Sequence, residues 1–265
     1  MSKWVILPET IIWTAPAQAD GAEPEDAVEW AERILGFRLD EAQARVLRSR
    51  SKRVILNCTR QWGKSTVTAL KAVHQAITEP GTLTVVVSAC ERQSGEFVRK
   101  ASRFARALNS RVKGDGDNRV SLAFENGSRI VGLPSTEGTV RGFSAVSLLV
   151  IDEASRAADE LYHAVRPMLA VSGGSLWLIS TPFGKRGFFY ETWDHGSEDW
   201  ERVKVTAEGC PRIPAAFLEE ERRALGERVF RQEYLCEFVE TGGGVFDVEL
   251  VEKAVRDDVA PLEIE

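Results

Sequence analysis

The sequence predicts an α/β fold: a mostly parallel central sheet flanked by helices, with a small helical subdomain near the C-terminal end. Three observations carry that reading. Val54-Ile55-Leu56, Leu83 to Val87, Leu148 to Ile151 and Leu176 to Ile179 are short continuous apolar runs, the pattern of strands covered on both faces. Helical patterns separate these runs. Two of the runs end in chemistry, one in a polar loop closing on Gly63-Lys64-Ser65 and the other in Asp152-Glu153.

Composition sets the outer limits. A chain of 265 residues holds one large domain, or a core with a small appendage. The net charge of −6 argues against a general polyanion binder, so any nucleic-acid contact must use a local basic surface. No apolar run approaches the roughly 20 residues of a membrane span, and Met1 to Thr10 makes a poor secretory signal. Cys58, Cys90, Cys210 and Cys236 are far apart and form no C-x-x-C pair, which disfavours a disulfide scaffold or a zinc site and fits a reducing cytosol.

Four segments are expected: an N-terminal arm over 1–26, a core over 27–209, a helical lid over 210–240 and a tail over 241–265. The arm, with Pro8, Pro16 and Pro24, reads as loosely structured. Ala27 to Leu35 is helical and Gly36 ends it; Asp40 is the N-cap of a helix to Arg48. Strand Val54 to Asn57 leads into a helix from Lys64 to Thr78, with Val67, Leu70, His74 and Ile77 on its inner face. Glu91 to Asn109 is amphipathic: Phe97, Ala101, Phe104 and Leu108 share one face, and Arg92, Arg99, Arg103 and Arg106 the other. Asn126-Gly127 joins two alternating runs as a hairpin. A helix is expected from Glu153 to about Leu169, another over Phe188 to Trp193, and a peripheral strand over Trp200 to Val205. Ile213 to Leu225 and Gly226 to Phe238 read as two lid helices.

The strand–loop–Gly-Lys-Ser–helix order is a phosphate-binding loop. Thr59, Arg60, Gln61, Trp62, Gly63, Lys64, Ser65 and Thr66 would surround the phosphates with backbone N–H groups and one lysine. Cys58 stands where the usual pattern has its first glycine. Ser65 and Asp152 can hold Mg²⁺, and Glu153 can take a proton from an attacking water. Ser180-Thr181-Pro182 ends the next buried strand, so its hydroxyls should approach Glu153. Gln43, with the aromatic Phe37 upstream, has an amide able to read an adenine edge. Two arginines compete for the γ-phosphate: Arg60 in the loop, acting in cis, and Arg141, which could reach a neighbouring subunit.

Together these residues resemble the ATPase domain of the large terminase subunits of tailed bacteriophages, motors that drive double-stranded DNA into a procapsid. The resemblance spans Phe37 to Val239. Cys58 to Ser65 is similar to that family's divergent phosphate loop, Gln43 to its adenine-recognition glutamine, and Leu148 to Glu153 to its acidic strand with a catalytic glutamate. Ser180 and Thr181 fall in its coupling motif, Phe230 to Phe238 in the segment closing its lid, and Thr139-Val140-Arg141-Gly142 at its trans-acting arginine finger. It implies a RecA-like (ASCE) P-loop ATPase using ATP and Mg²⁺, working on double-stranded DNA in the cytoplasm of an infected bacterial host. It also implies a ring, a homopentamer on the portal, with portal and small terminase subunit as partners and no membrane. Family members usually carry a nuclease domain after the ATPase; no nuclease activity is expected from this chain. The competing expectation is a helicase-like remodelling ATPase, which usually needs a second motor domain. DNA contacts are expected from Arg111, Lys113, Arg119 and Arg129 on the hairpin, or from the arginine face of the helix before it.

Overall fold

A computed structural model of the chain describes residues 5–7, 10–12, 26–36, 38–108, 110–135 and 142–240. Phe37 and Arg141 lie outside the described residues. In chain order the elements are β1 (Val5–Leu7), β2 (Thr10–Ile12), α1 (Ala27–Leu35), α2 (Glu41–Arg48), β3 (Arg53–Cys58), α3 (Lys64–Thr78), β4 (Leu83–Ser88) and α4 (Glu91–Ala107). After them come β5 (Val112–Lys113), β6 (Ser121–Phe124), β7 (Arg129–Pro134), β8 (Leu148–Asp152), α5 (Asp159–Val165), β9 (Ser175–Ser180), α6 (Gly187–Asp194), β10 (Glu201–Val205) and α7 (Ala215–Glu233).

Eight strands make one sheet in the order β10-β3-β9-β8-β4-β7-β6-β5. Every pairing from β10 to β7 is parallel, and β6 and β5 extend that edge antiparallel. The parallel strands are apolar on both sides because both faces are covered. Val54 and Leu56 of β3 join one apolar cluster, with Leu70, Phe97 and Trp177, while Ile55 joins the other, with Leu149, Leu178 and Phe189. A third, smaller cluster gathers Ala207, Phe230 and Tyr234 beneath α7. Strand β9 lies between β3 and β8, which spaces the phosphate loop and the acidic strand end one strand apart at the carboxyl edge, where open α/β sheets place their ligands.

Four expectations need correction. The segment after Glu153 is not one helix: a 3-10 turn over Ala154–Arg156, α5 and a second 3-10 turn over Arg166–Leu169 replace it. Glu153 at φ 55° cannot begin an α-helix, and Pro167 lacks the N–H needed to continue one. The lid helices meet at Gly226, whose φ of 75° and ψ of 161° break the helix, and α7 stops at Glu233, short of Phe238. Helix α3 buries more than one stripe, since Ala69, Ala72, Val73 and Ala76 are also covered by its neighbours. The arm contains an antiparallel hairpin, β1–β2.

Candidate functional site

The loop between β3 and α3 is set by its backbone. Gly63 has φ 105°, and a side chain there would bring a Cβ to 3.1 Å from Gln43 Nε2, so only glycine fits. Gln61 is also left-handed, at φ 63°. Cys58 is the last residue of β3 and has no positive φ, so the backbone there has no need of the glycine that the usual pattern carries. Its thiol is buried among apolar groups, and burial pushes its pKa above the ordinary thiol range.

Three anchors hold the loop. Thr59 N donates to Val205 O at 2.8 Å, and Thr59 Oγ1 donates to Glu233 O at 3.1 Å. Trp62 O accepts from Gln43 Nε2 at 2.9 Å and from Arg212 Nη2. Gln43 also closes the capping box of α2, accepting from Asp40 N at 3.2 Å. Gln43 is thus buried beneath the loop with each end of its amide engaged. The Trp62 ring is in the apolar core, away from the loop's open side.

Lys64 opens α3, and its Nζ donates to Cys58 O at 2.8 Å and Thr59 O at 3.1 Å, arching over its own loop. Ser65 Oγ donates to Asp152 Oδ2 at 3.4 Å, joining the loop to the end of β8. Asp152 is buried beside Glu153. Burial first, and then the Glu153 charge, push its pKa from 3.8 up to about 6, with Lys64 partly offsetting both. Glu153 turns out of the strand, its N–H donating to Asp152 Oδ1 at 3.1 Å, and Ser180 Oγ donates to its Oε2 at 3.3 Å. Arg60, Gln61, Gly63, Lys64, Ser65, Thr66, Lys100 and Glu153 line one cavity of about 330 Å³. That donor set suits a nucleotide phosphate with Mg²⁺: N–H groups and lysines for phosphate oxygens, and a hydroxyl with a carboxylate for a hard cation.

Glu233 ends α7 and clamps two arginines. It accepts from Arg60 Nε at 2.9 Å and from Arg156 Nη2 at 3.0 Å, so the lid, the phosphate loop and the turn after Glu153 meet on one carboxylate.

Sequence reasoning missed Lys100, Ser155, Arg156 and Arg212, and placed Glu233 only within the lid-closing segment, without its arginine partners. Ser155 and Arg156 stand two and three residues after Glu153, and that nearness was the one available signal. Lys100 sits at the flank of the arginine face of α4, yet it lines the cavity.

The basic residues divide. Arg92, Arg99 and Arg106 of α4 line a groove of about 540 Å³ with Lys113 and Arg119 of the hairpin region. Arg119 pairs there with Glu91 at 3.2 Å; Arg111 and Arg129 are not in the groove's lining, Arg111 lying 3.9 Å from Glu125 and Arg129 3.6 Å from the Asp115 carboxylate.

The profile of the terminase large subunit, T4likevirus-type, N-terminal family matches residues 55–253. The chain belongs to this family. It is 26% identical over 248 residues to the terminase large subunit of Thermus virus P23-45, covering 80% of this chain and 51% of that one. A 31% identity over 106 residues links it to the terminase large subunit of Escherichia phage T5, across 37% of this chain and 24% of that one. The chain therefore spans about half the length, or less, of these relatives. The Thermus phage P74-26 large terminase ATPase domain superposes with a TM-score of 0.70 at 22% identity, over 83% of this chain and all of that domain. The large terminase of bacteriophage HK97 superposes at 0.67, with 15% identity, over 86% of this chain and 58% of that one. These terminases share the RecA-like architecture of the present sheet. Among the described residues no helix is long and apolar enough to cross a membrane.

Proposed function

We propose that this chain hydrolyses ATP to drive double-stranded DNA into a viral procapsid. The observation that carries the reading is that Lys64, Ser65 and Glu153 line one cavity at the carboxyl edge of β3 and β8, with Asp152 hydrogen-bonded to Ser65 and Glu153 beside it. The terminase ATPase domain fold supports packaging over a helicase-like role.

Lys64 and the N–H groups of Gly63 to Thr66 take the phosphates, Lys64 exchanging its loop carbonyls for phosphate oxygens. Ser65 and Asp152 would hold Mg²⁺, which when bound neutralises phosphate charge. Glu153 accepts the proton of the attacking water, a role worth about 10²–10⁴-fold. Lys100 adds a second cation from α4. Arg60 lines the cavity while its Nε is held by Glu233, and it is the cis candidate for the γ-phosphate. Arg141 is the alternative finger, supplied across a ring of subunits. Gln43 retains one amide hydrogen and one lone pair for an adenine edge, with Phe37 as the aromatic neighbour. Ser180 and Thr181 couple the site to the rest of the fold. DNA phosphates are taken by the groove of Arg92, Arg99, Arg106, Lys113 and Arg119. In the assembled motor the partners are a homopentameric ring, the portal and the small terminase subunit, in the host cytoplasm.

Glu153→Gln tests the reading: nucleotide binding should persist while steady-state hydrolysis, with and without duplex DNA, falls at least 100-fold. Hydrolysis retained in that variant would remove Glu153 as the base.

A further inference from the structure

Glu153 is left-handed at φ 55°, a conformation a glutamate adopts only when its surroundings impose it. Its carboxylate is reached by Ser180 Oγ at 3.3 Å. Ser180 Oγ lies 2.8 Å from Ser155 Oγ, and Ser155 Oγ lies 2.7 Å from the carbonyl oxygen of Thr181. Ser180 is fully buried, which confines its hydroxyl to protein partners. Each serine owns one hydroxyl hydrogen and can also accept, so two hydrogens serve three contacts. If Ser155 donated to Thr181 O while Ser180 donated to Glu153, two oxygens with no hydrogen between them would face each other at 2.8 Å. Two arrangements place a hydrogen between the serines. In one, Ser155 donates to Ser180 and Ser180 donates to Glu153, and the 2.7 Å contact of Ser155 with Thr181 O, left without a hydrogen, has to lengthen. In the other, Ser155 donates to Thr181 O, Ser180 donates to Ser155, and Glu153 loses its hydroxyl partner.

We propose that Ser155 is a positioning residue for the base: by donating either to Ser180 or to the Thr181 carbonyl, it holds or releases the Glu153 carboxylate and links it to the strand end at Thr181-Pro182. This rests on Glu153 being the base. The hydroxyl chain is the direct physical path from Glu153 to the end of β9, and Ser155 is the member whose hydrogen selects the arrangement.

The test compares wild type, Ser155→Ala, Ser155→Thr and Glu153→Gln in steady-state Mg²⁺-ATP hydrolysis, with equilibrium ATP binding measured in parallel. Ser155→Ala should lower kcat about tenfold, a part of the general-base contribution, with KM and ATP affinity within twofold of wild type. Ser155→Thr, which keeps the hydroxyl, should recover most of the rate. A Ser155→Ala kcat within twofold of wild type overturns the proposal. So does a loss of kcat matched by an equal loss of ATP affinity, which a merely structural serine would give. A Thr variant as slow as the Ala variant overturns it too. Turnover surviving in Glu153→Gln removes the base itself and the proposal with it. Turnover lost in Glu153→Gln but intact in Ser155→Ala removes the proposal alone.

Discussion

Asp152→Asn should stabilise the nucleotide-free protein while abolishing its metal-dependent chemistry. Asp152 is buried next to another carboxylate, with Lys64 the main cation opposing the cost, and its pKa stands at about 6 against 3.8 for an unperturbed group. A raised carboxyl pKa means that the folded state holds this proton more tightly than the unfolded state. The protein therefore loses stability as pH rises from about 4 to about 6, and carries the full cost above that window. At about 1.36 kcal/mol per pKa unit, the cost at pH 8 is on the order of 3 kcal/mol. Asparagine keeps the oxygen that accepts from Glu153 N at 3.1 Å and can donate to Ser65 Oγ, now 3.4 Å away. It removes only the charge.

The assay is urea unfolding in the presence of a chelator, at a series of pH values. The variant should exceed wild type by roughly 1–3 kcal/mol at pH 8, and the difference should shrink towards zero near pH 4. A variant less stable than wild type at pH 8, or a difference that ignores pH, would refute the assignment of Asp152 as a strained buried charge. A stabilised, inactive variant is what a carboxylate retained for metal binding at the expense of the fold should give.

Lys100→Ala should raise the KM for ATP about tenfold, the loss of one charge-assisted phosphate contact; an unchanged KM would place its ammonium outside the site. Glu233→Ala leaves Arg60 and Arg156 without their shared partner and should cost about 1–3 kcal/mol in thermal unfolding, with faster proteolysis at the lid. Arg92→Glu with Arg99→Glu should weaken duplex DNA binding and flatten its salt dependence, by about 0.9 in log–log slope per lost phosphate contact. Retention of the wild-type slope would move the DNA surface off the groove.

The strands and the phosphate loop were legible because their information is local. An apolar run marks a doubly covered strand, and Gly-Lys-Ser after it marks a helix start, so α3 begins at Lys64 and ends at Thr78 as expected. The Asp40 N-cap was legible for the same reason, though the capping box that Gln43 completes was not read. The insertion of β9 between β3 and β8 was not, since residue type carries no pairing partner. The turn after Glu153 was missed because nothing in a glutamate announces φ 55°; the conformation is imposed by what surrounds it. Lys100 was hidden by its neighbours: a helix with Arg92, Arg99, Arg103 and Arg106 reads as one basic face, and that the lysine at its flank lines the cavity is visible only once the helix is placed. Lys113 and Arg119 were expected on a basic hairpin, and they do line a groove. Arg111 and Arg129 were expected with them and are not in that groove's lining; Arg129 pairs with Asp115 at 3.6 Å.

The turn from Glu153 to Arg156 gathers what the site needs to communicate. A 3-10 turn repeats about every three residues, so consecutive side chains leave it in different directions. Glu153 points to the cavity, Ser155 to the end of β9, and Arg156 to the lid carboxylate Glu233. Glu233 also holds Arg60, while backbone contacts keep the same lid segment docked: Thr59 Oγ1 on Glu233 O and Asn57 Nδ2 on Cys236 O. If Arg60 turns towards a phosphate, Glu233 keeps its charge paired through Arg156, and the lid's end need not detach. The carboxylate can then release one arginine without being left as a buried, unpaired charge, a state that costs several kcal/mol. Having two arginines on one carboxylate is what makes an exchange at the phosphate loop physically inexpensive, since with only one the exchange would leave Glu233 unpaired.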